Sequence, residues 1–145
     1  GQKSVAIALA GICFEQITNE FYHKILLNKY EFSNREYSSS MKGISIKDKL
    51  TWLYKLTTSR CMEPSIVSDI HKICSLRNSI VHYKPKVEKV GEWGENEDNS
   101  DEEYDISKLI PLIEKVREIF TEDMDILFPE EKTSKEIFRK IFRKN

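Results

Sequence analysis

Within the stretch Leu76-Arg77-Asn78-Ser79-Ile80-Val81-His82-Tyr83, an arginine is followed at once by an amide and, after four intervening residues, by a histidine. Histidine titrates near neutrality and can take or give a proton at physiological pH. A guanidinium stays charged and offers a planar fork to an oxyanion. Together they fit metal-independent cleavage of RNA. The ribose 2′-OH loses its proton and attacks the adjacent phosphorus, and the 5′-oxygen leaves and takes up a proton. The ends produced are a 2′,3′-cyclic phosphate and a 5′-OH. In such a step a histidine does the acid/base work and a guanidinium steadies the charge on the crowded phosphate.

Placed on a helix running from Pro64, with about 100° between residues, Ile66, Val67, Ile70, Ile73, Cys74, Ile80 and Val81 form one broad apolar face. Arg77 falls near the middle of that face, where arginine is rare unless paired. His82 lies about 140° away, with Asn78 and His71 within about 40° of it. Two structural readings compete with the chemical one. Arg77 can close a buried ion pair, and His82 can cap the helix C-terminus, where the dipole favours a cation.

The motif Arg77-Asn78…His82 within LRNSIVHYKP resembles the signature of the HEPN superfamily, an arginine and a polar residue followed by histidine. The resemblance implies an all-α, up-and-down antiparallel bundle of four main helices plus a short C-terminal one. It also implies an endoribonuclease site where the motif helices of a homodimer face each other, with Arg77, His82 and Asn78 catalytic. An acidic residue on the first helix reaches the site in some members, which makes Glu15 a secondary candidate. In members that pair with nucleotidyltransferase antitoxins a tyrosine commonly stands two residues past the histidine. Here that position is Lys84 and the tyrosine is Tyr83, so both are secondary candidates and that partnership is in doubt. The contexts implied are toxin–antitoxin pairing, phage defence and RNA processing, with RNA as substrate and an antitoxin or regulatory protein as further partner.

Composition agrees with a helical domain and advertises no partner. Of 145 residues, 39% are hydrophobic and 32% charged, with five glycines and four prolines. The pattern fits one helical domain over 1–145, long enough to bury a core. A net charge of −1 gives no global attraction for nucleic acid, so RNA contacts would need local patches. Three dispersed cysteines without a CxxC pair fit a reducing, cytoplasmic location. The apolar run 5–14 is too short to span a bilayer, and no membrane contact is expected. No set of residues has metal-ligand spacing, the glycines make no phosphate loop, and neither metal nor cofactor is expected. A triad assembled from distant residues stays open, although nothing marks a nucleophile. The chain starts at Gly1 without Met, as a trimmed chain or a piece of a longer protein would.

The elements that must position the motif follow from apolar periodicity. Ile7, Ala10, Phe14, Ile17, Phe21 and Ile25 predict a helix over 4–30, and Val5, Leu9, Ile12 and Cys13 predict that its first half is covered on more than one side. Residues 31–43 read as a polar loop. Ser45 opens a second helix, capped with Asp48 and buried along Ile46, Leu50 and Leu53. The third runs from Pro64 to 82–84, ended by Pro85. Residues 84–105 read as a loop, with eight acidic residues and no basic one between 92 and 105. A fourth helix spans 106–128 on Leu109, Ile113, Val116, Phe120, Met124 and Leu127. Thr133 and Glu136 cap a basic amphipathic tail over 133–145, where IFRK occurs twice. That tail is either a packed terminal helix with a wet basic face or a contact surface. Lys84, Lys86, Arg139, Lys140, Arg143 and Lys144 are the candidate RNA contacts. Two other classes remain open: a non-catalytic HEPN module that binds RNA or dimerises, and a helical adaptor for a protein partner.

Overall fold

A computed structural model of the chain describes residues 1–82 and 104–142. Of these, 83% are helical and none is in a strand. The helices are α1 (Gln2–Asn28), α2 (Asn34–Met41), α3 (Ile46–Leu50), α4 (Trp52–Thr58), α5 (Pro64–Val81), α6 (Leu109–Leu127) and α7 (Pro129–Phe142), with a 3₁₀ turn at Ile106–Lys108 before α6. The chain is all-α. Among the described residues, no helix is long and apolar enough to cross a membrane.

The core is built on α1, against which α5 and α6 pack. Ala10, Phe14, Phe21 and Ile25 of α1 are buried, as their spacing predicts, with Tyr22 and Leu26 beside them. Across from them lie Ile66, Val67, Ile70, Ile73 and Cys74 of α5 and Leu109, Leu112, Val116 and Phe120 of α6. Each such side chain removed from water contributes roughly 1.5–3 kcal/mol before chain entropy is set against it. Phe21 and Phe120 stack with ring centres 4.2 Å apart, which fixes the register of α1 on α6.

Several elements differ from expectation. The 31–43 segment contains a helix, α2, because Ser33 and Glu36 form a reciprocal capping box and Met41 and Tyr37 give it an inward side. The second predicted helix is two short ones, broken at Thr51 (φ −110°, ψ −96°). Ser45 caps the first of them with Asp48, as predicted. The tail helix begins at Pro129, not Thr133. Proline suits the first helical position, Glu130 and Glu131 complement the dipole, and the Thr133 hydroxyl donates back to the Pro129 carbonyl at 3.2 Å.

Val5, Leu9 and Ile12, expected to be covered, are exposed, as are Ile80 and Val81 at the end of the supposed apolar face of α5. No residue of α7 is buried, so it is not the packed terminal helix that amphipathicity alone allows. Lys24 ties it to α1 through a 2.6 Å ion pair with Glu131. The predicted 84–105 loop lies outside the described residues apart from Tyr104, which is buried, and Asp105.

Candidate functional site

Arg77 stands one turn from the end of α5, where the helix meets α1 at Gly11. A Cβ on Gly11 would lie 3.1 Å from the Arg77 Cβ and 3.2 Å from its Cδ, so the missing side chain is the seat of the arginine stem. The stem delivers the guanidinium to Glu15, one turn further along α1. Nη1 meets Glu15 Oε2 at 2.6 Å and Nη2 donates to Oε1 at 2.8 Å, a two-pronged pair. Nε and Nη2 also donate to Asn78 Oδ1, at 3.2 and 2.8 Å. Glu15 holds the guanidinium still more firmly in its charged form, with burial opposing.

The donor count is decisive for chemistry. A guanidinium has five N–H groups; three donate to Glu15 and Asn78 oxygens, and Nη1 stands against Glu15 Oε2 in the ion pair. The fork expected to face a phosphate is turned on Glu15. The ion-pair reading of Arg77 is therefore realised, and the side chain is only 14% exposed. Asn78 does orient the arginine, as its position after Arg77 allows.

His82 is the C-cap of α5 (φ −102°, ψ 28°), and its backbone N–H donates to the Asn78 carbonyl at 2.9 Å. The capping position is realised too. The ring is exposed, and among the described residues no hydrogen bond or ion pair joins it to Arg77, Asn78 or Glu15. The structure thus gathers Arg77, Asn78 and Glu15 and leaves His82 about 7.5 Å further along the helix axis. Tyr83, Lys84 and Lys86 lie outside the described residues, as do Arg143 and Lys144. Arg139 and Lys140 are exposed in the last turn of α7.

Three features of this region complete the site, of which the sequence places only Cys74, on the apolar face of α5. Gly11 is the first. The second is Cys74, one turn before Arg77, buried with its thiol 3.9 Å from the Gly11 carbonyl and pushed up to about 11, mainly by burial. The third is a cavity of about 360 Å³ between α1, α3 and α5, lined by Glu15, Lys49, His71, Ser75 and Asn78 with the α3 end. The strip of His71 and Asn78 on the α5 wheel was the available signal for it.

No protein-family model, curated protein or solved structure matches the chain. The class defined by fold and site is thus an all-helical domain with an Arg–Glu–Asn cluster where α1 and α5 meet.

Proposed function

We propose that this chain is a HEPN-like four-helix bundle acting as a metal-independent endoribonuclease, with Arg77 and His82 as its catalytic pair. The observation that carries the reading is Arg77 locked by Glu15 and Asn78 on the same helix end that presents an uncommitted histidine ring. Preorganisation of this kind lowers the reorganisation needed when charge develops on a phosphate. In the proposed step His82 takes the 2′-OH proton, the 2′-oxygen bonds to phosphorus and the 5′-oxygen departs. An Nη1–H of Arg77 donates to a non-bridging oxygen. A homodimer supplies the second proton-transfer group from the other copy's His82. Its proposed contact is the apolar surface at Ile80 and Val81 beside His82, since Arg77 is already satisfied within its own chain.

The same contacts favour a second reading, a non-catalytic RNA-binding or dimerisation module, because the Arg77 guanidinium is committed to Glu15 and Asn78 inside the protein. The test is incubation with RNA in EDTA and analysis of the ends. Cyclic-phosphate ends from wild type, with loss of roughly 10²–10⁴-fold in His82→Ala, are expected. Cleavage abolished by EDTA, or undiminished in His82→Ala, overturns the nuclease reading. Binding without any cleavage leaves the module.

A further inference from the structure

The cavity between α1, α3 and α5 gathers positive charge in a chain whose net charge is −1. Lys47 and Lys49 reach it from α3, and His71, Ser75 and Asn78 from α5, with Glu15 from α1. Glu15 has both oxygens engaged by Arg77. Asp48, the other carboxylate nearby on α3, accepts from the Ser45 hydroxyl at 2.8 Å and does not line the cavity. The two lysines are therefore left in excess over a neutral Arg–Glu pair. Lys49 is half-buried, and its ammonium donates at 2.8 Å to the neutral Asn19 Oδ1. Burial works against its charge, with Glu15 only partly restoring it. A half-buried cation bonded to an amide has donors left for an anion. Asn78 adds two more, because its carbonyl oxygen is taken by Arg77 and its NH₂ group has no acceptor among the described residues. Ile44 and Ile46 also line it, adding apolar surface beside these polar groups. Its volume lies in the range of small-ligand clefts, roughly 300–1,000 Å³.

We propose that this cavity is a nucleotide subsite for the RNA strand, taking one ribose phosphate beside the position served by Arg77. Lys49 and Lys47 contact the phosphate, the Asn78 amide and Ser75 hydroxyl bond the sugar or base edge, and Ile44 and Ile46 cover its apolar face. The assignment of the anion to RNA rests on the ribonuclease reading. The cavity and its charge do not. Asn78 links the two sites, with its oxygen on Arg77 and its nitrogen on the ligand, so an occupied cavity would stiffen the catalytic arginine.

The test is binding of a 2′-fluoro RNA oligonucleotide, which lacks the attacking hydroxyl, measured across a salt series. Lys47→Gln/Lys49→Gln should weaken binding and flatten the log–log salt slope by about 0.7 for each phosphate that is no longer neutralised. Ser75→Tyr fills the cavity without altering charge and should weaken binding at unchanged slope. Lys108→Gln, which removes one charge at the start of α6, should do neither. All variants are checked for wild-type helicity by circular dichroism, and Ser75→Phe stands in if Ser75→Tyr fails to fold. Weakening in the lysine variant alone, with the filled cavity still binding normally, assigns the lysines to a general field and overturns the subsite. Unchanged affinity in the lysine variant, or no binding by wild type, overturns it as well. A wild type that takes 5′-AMP as tightly as the oligonucleotide makes this a free-nucleotide site and refutes the RNA assignment. Binding through the cavity without cleavage of ordinary RNA defeats only the ribonuclease reading.

Discussion

Gly11 and Arg77 are a matched pair: α1 lacks a side chain where the arginine stem of α5 lies across it, and a Cβ there would stand 3.1 Å from the Arg77 Cβ. The helical glycine costs α1 roughly 0.5–1 kcal/mol relative to alanine, which the close approach offsets. Gly11→Val is expected to lift the stem, break the Arg77–Glu15 pair and destabilise by about 1–3 kcal/mol, as overpacking does. Gly11→Ala should fall near wild type, since helix propensity gained opposes the squeeze. Urea denaturation checks both. A Gly11→Val variant as stable as wild type would mean that α1 and α5 do not meet there.

Glu15→Gln keeps the shape but weakens the grip on the guanidinium. If Glu15 positions Arg77 for phosphate, cleavage should fall by about tenfold, carried mostly by kcat, because the interaction acts on orientation. A rise in activity would instead make Glu15 a competitor that the substrate must displace.

The long helices were legible from sequence because their burial is one-sided and periodic: Phe14, Phe21 and Ile25 on α1, Ile66 to Cys74 on α5, Val116 and Phe120 on α6. α2 reads as a loop because Ser38, Ser39 and Ser40 outweigh the capping box of Ser33 and Glu36. Ile80 and Val81 fit the apolar face on the wheel but stand exposed at the end of α5, which periodicity cannot register. In the site, Arg77 and Asn78 were legible as a pair by adjacency. The bonding of Glu15 to Arg77 was not, because it depends on which residue of α1 lies opposite α5 and hence on a glycine.

Asp123 is the other residue that sequence hid. It is 1% exposed, bonded to Arg60 Nη1 at 2.5 Å and to the Tyr54 hydroxyl, and it holds α6 to α4 and the turn after it. Burial, with this carboxylate alongside, drives the Tyr54 phenol well above its ordinary range. Asp123→Ala leaves a buried phenol and a cation without their acceptor and should cost about 2–4 kcal/mol. Asp123→Asn, which can still accept from Tyr54, should cost less. Equal stability of Asp123→Ala and wild type in urea would dismiss the network.

Thiol labelling reports on the α1–α5 contact directly. Cys61 is exposed, whereas Cys74 is buried against Gly11 with its thiol pushed up to about 11. At neutral pH a maleimide should modify Cys61 in the native protein and reach Cys74 only on unfolding. Gly11→Val should speed Cys74 labelling, and rapid native labelling of Cys74 in wild type would contradict the packing.

The catalytic assignment has its own test in the coupling of Arg77 and His82. Both would act on one transition state, so Arg77→Ala and His82→Ala should each lower kcat/KM, and the double variant should lose far less than the product of the two. Arg77→Lys should fail to rescue. An ammonium cannot bridge both oxygens of Glu15 while bonding Asn78, so the cation would lose its fixed position even though its charge survives. The structural alternative predicts otherwise: if Arg77 serves only the ion pair with Glu15, Arg77→Lys keeps a charge there and activity should track stability rather than geometry. Each variant is therefore melted alongside the assay. Multiplicative losses in the double variant, or full activity in a stably folded Arg77→Lys, would separate the two residues and remove Arg77 from the chemistry.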